Sequence, residues 1–110
     1  MINAEKLDNL LLELGHDDYN LGTGYIREGV KRFEAGQRRM TKEVYPAIAK
    51  AHGTTPAAVE RMMRHSIEKA WTRSSYHVQL RYFGQSVDPD RGKPTVGEYL
   101  ARLGMICHEN

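Results

Sequence analysis

Apolar side chains return at intervals of three and four residues along most of this chain, and no paired runs of β-branched residues between hairpin turns interrupt them. That period puts apolar groups on one side of a helix, so the expected fold is all-α. Leu7, Leu10, Leu11 and Leu14 stand at i, i+3, i+4 and i+7 with charges between them. Gly15 comes next, where a left-handed cap would end a helix over residues 4–14. Ile26, Val30 and Phe33 give a second helix from Thr23 to Ala35, with Arg27, Glu28, Lys31, Arg32 and Glu34 facing outward and Gly36 stopping it. A third is expected over Thr41–His52, with Val44, Ile48 and Ala49 on its inner face. Pro46 lacks a backbone donor and either kinks this helix or confines regular bonding to the residues after it.

Thr55-Pro56 is a strong start signal: the threonine hydroxyl can cap free N–H groups, and proline at the first helical position gives up a donor that had no partner. The fourth helix is therefore expected from Pro56 to about Arg73, with Val59, Met62, Met63, Ile67 and Ala70 inward. The methionines read as adaptable core filler, and Trp71 as closing the core beneath this helix. Tyr76–Phe83 reads as a short fifth helix whose mixed spacing leaves a strand open. Gly84–Lys93 reads as a loop. Thr95-Val96-Gly97-Glu98 fits a capping box, after which Tyr99, Leu100 and Leu103 make one side of a sixth helix. A length of 110 residues, 40% of them apolar, supports a single domain over residues 1–110.

No apolar run approaches the roughly 20 residues that cross a bilayer, and the N-terminus lacks the basic lead, apolar stretch and cleavage site of an export signal. A cytoplasmic location is the expectation, and the lone Cys107 suits a reducing compartment. The net charge of +2 hides an asymmetry: residues 1–26 carry −4, residues 27–81 carry +7 and residues 82–110 carry −1. A central cluster of cations is the electrostatic footprint expected for a polyanion, since phosphate affinity grows with the counterions released. A solvated basic face would have the same composition.

The informative stretch is Thr41–Arg73. Ala49, Gly53 and Val59 have the spacing of a helix-turn-helix: a small residue where two helices cross, a glycine for positive φ in the turn, an aliphatic plug on the second helix. With Val59, Met63, Ile67 and Ala70 turned inward, the opposite face of the fourth helix carries Ala57, Glu60, Arg61, Arg64 and Glu68, with His65 at its edge. Glu60 can accept from a cytosine amino group, and arginine can donate twice to guanine or pair with phosphate. Ala57, Ala58, Glu60 and Arg61, near the helix start, are the expected base readers. Lys42, Thr54, Thr55, Arg64, His65 and Arg73 are the expected phosphate contacts. The plainer reading makes these ordinary surface charges, with an Arg64–Glu68 pair at i, i+4.

These residues also carry a resemblance. Thr41-Lys42, Tyr45-Pro46, Ile48-Ala49-Lys50, Thr54-Thr55, Val59-Glu60-Arg61, Arg64-His65, Ile67-Glu68 and Ala70-Trp71 are similar to the DNA-binding effector domain of the stage 0 sporulation protein A family. The similarity extends to Gly24-Tyr25-Ile26-Arg27-Glu28, to Phe83-Gly84 and to Lys93-Pro94-Thr95. It implies six helices with the third and fourth forming the helix-turn-helix, and double-stranded DNA as the partner. It also implies tandem head-to-tail or homodimeric assembly on DNA and contact with an RNA polymerase sigma factor. Glu60 matches a base-reading glutamate of the family, while Arg61, Arg64 and His65 match positions on or beside the DNA backbone.

Ala58 stands where the family has a base-reading arginine, so an altered operator or reduced specificity is expected. Tyr76–Ser86 corresponds to the family's polymerase-facing surface, and Tyr76-His77-Val78-Gln79-Leu80-Arg81 diverges from the family there. The family's phosphoacceptor receiver domain is absent from these residues, as expected of an effector-only protein or of a fragment. An alternative from a different class is a protein-interaction module of the same fold that binds a sigma factor or related regulator.

No cofactor or metal is expected, since His16, His52, His65, His77 and Cys107-His108 lack ligand spacing. No enzyme is expected either: nucleophile–base pairing, a phosphate loop and an apolar carboxylate pair are all missing from the sequence.

Overall fold

The computed structural model describes residues 1–84 and 92–109. Among these, six α-helices form one all-α domain: α1 Ala4–Glu13, α2 Leu21–Glu34, α3 Tyr45–His52, α4 Pro56–Arg73, α5 Tyr76–Phe83 and α6 Val96–Cys107. Helix α2 lies centrally against α4 and α6, and α3 packs on α4. Leu7, Leu11, Ile26, Val30, Ile48, Val59, Met63, Leu100 and Leu103 are fully buried where these helices meet.

Each helix starts or stops where local chemistry demands. Asn3 and Asn20 accept from Lys6 and Gly22 at the starts of α1 and α2. The Asn20 cap begins α2 two residues before the Thr23 expected from periodicity, because a cap and not an apolar position sets the boundary. Gly15, at φ 97°, ends α1 with Gly15 and His16 donating to the Leu12 and Leu11 carbonyls, which satisfies the last turn. Thr55 Oγ1 accepts from Ala58 N–H at 3.1 Å and Pro56 opens α4 as expected. Thr95 and Glu98 complete the capping box of α6 in both directions. Helix α5 forms, resolving the helix-or-strand choice at Tyr76–Phe83.

The third helix departs from expectation at its first turn. Met40–Val44 forms a π-helical turn, and regular α-helix begins only at Tyr45, with Pro46 in its first turn. Glu43 and Val44 both donate to the Arg39 carbonyl, and Tyr45 donates to Met40. Pro46 offers no N–H to the Lys42 carbonyl and its ring crowds that oxygen, so the turn widens there. The loop expected at Gly84–Lys93 lies, over residues 85–91, outside the described residues. An isolated antiparallel bridge between Ile2 and His108 draws the two chain ends together.

The close packing of α2 depends on two glycines that periodicity does not flag. A Cβ on Gly22 would stand 2.4 Å from the Met62 carbonyl of α4, and one on Gly29 would stand 2.9 Å from Leu100 of α6. Beneath this crossing lies a polar core. The buried His16 ring meets Ser66 Oγ at 3.0 Å and the Tyr99 hydroxyl at 2.8 Å, and Thr23 Oγ1 lies 3.3 Å from Ser66. A neutral imidazole supplies one donor and one acceptor to the two hydroxyls, so the ring is satisfied without charge. Trp71 packs edge-on against Phe83 with centroids 5.2 Å apart, closing the core below α4.

Candidate nucleic-acid interface

Gly53 adopts the left-handed conformation, φ 65° and ψ 37°, and joins α3 to α4 through a turn in which Thr54 donates to the Ala49 carbonyl at 3.0 Å. A Cβ at Gly53 would touch nothing within 4 Å, so the backbone dihedral and not crowding favours glycine. Ala49 and Val59, with Ile48 and Met63, are buried where α3 crosses α4. Met62 is half-buried beside them.

The first turns of α4 stand clear of this small core. Ala57, Arg61, Arg64 and His65 are exposed, and Ala58 and Glu60 are half-buried. Thr54 and Thr55 occupy the turn before them, and Lys42 is exposed on the π-helical turn that precedes α3. Arg61 makes no ion pair among the described residues. Arg64 does: its Nε donates to Glu60 Oε1 at 2.9 Å and its Nη1 lies 3.6 Å from Glu68 Oε1. The hydrogen bond and charge of Glu60, with Glu68 beyond, raise the Arg64 pKa above its ordinary value. The i, i+4 pairing read from the sequence at Arg64–Glu68 is therefore present, but the tighter partner is Glu60.

A groove of about 920 Å³ runs beside this stripe, with Tyr45, Arg64, Glu68, Trp71, Lys93 and Val96 on its walls. Tyr45 reaches into it from α3, and burial together with the Glu60 carboxylate pushes its hydroxyl up to about 12 against the opposing effect of Arg64. The hydroxyl therefore stays a hydrogen-bond donor at neutral pH.

Arg73 stands apart from the other cations. It is twelve residues beyond Arg61, about 18 Å along the axis, and its Nη1 reaches the Gly15 carbonyl at 3.5 Å, over the end of α1.

One further pair escapes sequence reasoning. His52 Nε2 lies 2.7 Å from Glu28 Oε2, Glu28 also holds Arg32 at 3.0 Å, and the His52 ring sits edge-on to the buried Tyr25. This ties the last turn of α3 to α2 just before the Gly53 turn. A histidine in a last helical turn is a legible signal, because that end of the helix favours a cation; its partner across the fold is not.

Arg61, Arg64 and His65 are thus exposed along α4, Thr54 and Thr55 precede its start, and Lys42 is exposed on the turn before α3; the helix N-terminus and the exposed guanidinium suit phosphates and base edges. Among the described residues no helix is long and apolar enough to cross a membrane. Residues 7–106 match the family model described as sporulation initiation factor Spo0A C terminal. The chain therefore belongs to the Spo0A C-terminal family, the DNA-binding effector domains of sporulation response regulators.

Proposed function

We propose that the domain is a sequence-specific transcription regulator in which α3, the Gly53 turn and α4 act as a helix-turn-helix, with the first turns of α4 in the major groove of DNA. Ala57, Ala58, Glu60 and Arg61 then face base edges, and Lys42, Thr54, Thr55, Arg64 and His65 hold the flanking phosphates. Arg73 is left out of this set, because its distance along α4 and its contact with Gly15 fit a role in fastening α1. The observation that carries the reading is Arg61, exposed and without an ion-pair partner among the described residues, one turn beyond a capped helix start next to a left-handed turn.

The test is a salt titration of binding to a mixed pool of duplexes. Lys42 and Arg64, with Arg61 beside them, would neutralise two or three phosphates, which corresponds to a log–log slope of about −2 to −3. Selection from random DNA would then yield the operator, and a footprint of two adjacent sites would support tandem assembly.

A second surface supports a protein partner. Tyr76 and Leu80 on α5 are 60% and 41% exposed, and they suit an apolar contact with a polymerase sigma factor. Gln85 and Ser86 of the same stretch lie outside the described residues. Absence of DNA binding at low salt would leave this surface, and a pure interaction module, as the function.

A further inference from the structure

The stripe Glu60–Arg64–Glu68 has a charge balance unusual for a face that meets phosphates. Two carboxylates grip one guanidinium from opposite turns, at 2.9 and 3.6 Å. Lys93, arriving from the segment before α6, approaches Glu68 only to 4.0 Å. All four groups border the same groove and are partly exposed. Without Lys93 the stripe is net negative; with it the stripe is neutral. Either way the exposed guanidinium in the middle of α4 is largely cancelled before DNA arrives.

We infer that Glu68 is a specificity-determining residue that makes this domain reject mismatched DNA. The inference rests on the reading of α4 as the DNA-facing helix. On a duplex that offers a base-edge donor to Glu60, that carboxylate leaves Arg64, and the freed guanidinium turns to a phosphate while Glu68 still braces its other edge. On a duplex that offers no such donor, Glu60 stays on Arg64, and the backbone faces two carboxylates sharing one cation. Glu68 is then a repulsive element that the matched site alone offsets, and discrimination built on repulsion of the wrong partner is a general route to specificity. Sequence chemistry alone would score Glu68 as half of a surface ion pair, of little energetic consequence.

The experiment compares a duplex selected by the wild-type domain with a scrambled duplex of equal composition, for the wild type, Glu68→Gln and Glu5→Gln. Glu5 carries the same charge in the first turn of α1, away from the stripe. Glu68→Gln is expected to tighten scrambled DNA about fivefold or more and the selected duplex less than about twofold, with a steeper salt slope on scrambled DNA. Glu5→Gln is expected to leave the ratio of the two affinities unchanged. Equal tightening of both duplexes by Glu68→Gln, no change in either, or the same narrowing from Glu5→Gln would overturn the inference while leaving DNA binding intact. A wild-type domain with no preferred duplex would overturn the DNA reading beneath it as well.

Discussion

His16 Nδ1 lies 3.0 Å from Ser66 Oγ inside the protein, fastening the turn after α1 to the buried side of α4. Burial, reinforced by the charges of Arg27 and Arg73, lowers the ring from its ordinary 6.5 to about 4. Between those two values the unfolded chain binds a proton that the folded chain refuses. The stabilising contribution is therefore complete above about pH 6.5 and declines as pH falls toward 4, by about 3 kcal/mol in all. Urea denaturation at pH 7, 5.5 and 4 is expected to show this loss, and His16→Gln to flatten it. Parallel pH profiles for the two proteins would contradict the assignment.

Gly22 and Gly24 occupy the same helix two residues apart yet predict opposite outcomes. A Cβ on Gly22 would collide with the Met62 carbonyl, a backbone atom that yields only if α2 and α4 separate, whereas a Cβ on Gly24 meets nothing within 4 Å. Gly22→Ala is expected to cost about 1–3 kcal/mol, and Gly24→Ala to gain roughly 0.5–1 kcal/mol from the lower entropy of the unfolded chain. Thermal melts of the two variants should move in opposite directions.

Gly22 also shows where sequence reasoning stops. The boundary of α4 is readable to the residue because Thr55 and Pro56 act on their own neighbours, and the capping box of α6 is readable for the same reason. Pro46 signals a disturbed start to α3, though not the π-helical turn that results. The exposed face of α4 follows from the positions of Val59, Met63, Ile67 and Ala70 on the other side. Contacts between distant segments have no such local mark. Nothing in a Gly at position 22 announces the Met62 carbonyl, a histidine in a loop does not announce Ser66 and Tyr99, and Lys93 reaches Glu68 only because the chain folds back before α6.

The left-handed turn at Gly53 separates backbone strain from packing. Open space surrounds the position, so Gly53→Ala meets only the steric cost of φ 65°, about 1–2 kcal/mol. Gly53→Asn, whose side chain tolerates that region, is expected to cost less. Because the turn sets the angle between α3 and α4, DNA affinity should fall in the same order as stability. Equal losses for both variants would show that something other than the dihedral matters at this site.

Glu60, Arg64 and Ala58 give the sharpest test of roles on α4. Arg64→Ala is expected to weaken the selected duplex by removing a phosphate contact, reducing its salt slope by about one, and scrambled DNA by leaving Glu60 and Glu68 without their shared cation, with no new base preference at any position. Glu60→Ala is expected to change base preference at one position by roughly 1–3 kcal/mol. Its effect on scrambled DNA should run the other way, because loss of the carboxylate that grips Arg64 at 2.9 Å frees a cation. Ala58 contributes its N–H to the Thr55 cap, a backbone bond that any side chain preserves, so Ala58→Arg can add a guanidinium at the helix start without unmaking the turn. A new preference for guanine at one base pair, of about 1–3 kcal/mol, is the expected result of selecting sites with that variant. An unchanged consensus would place Ala58 outside the groove and shift base reading to Arg61.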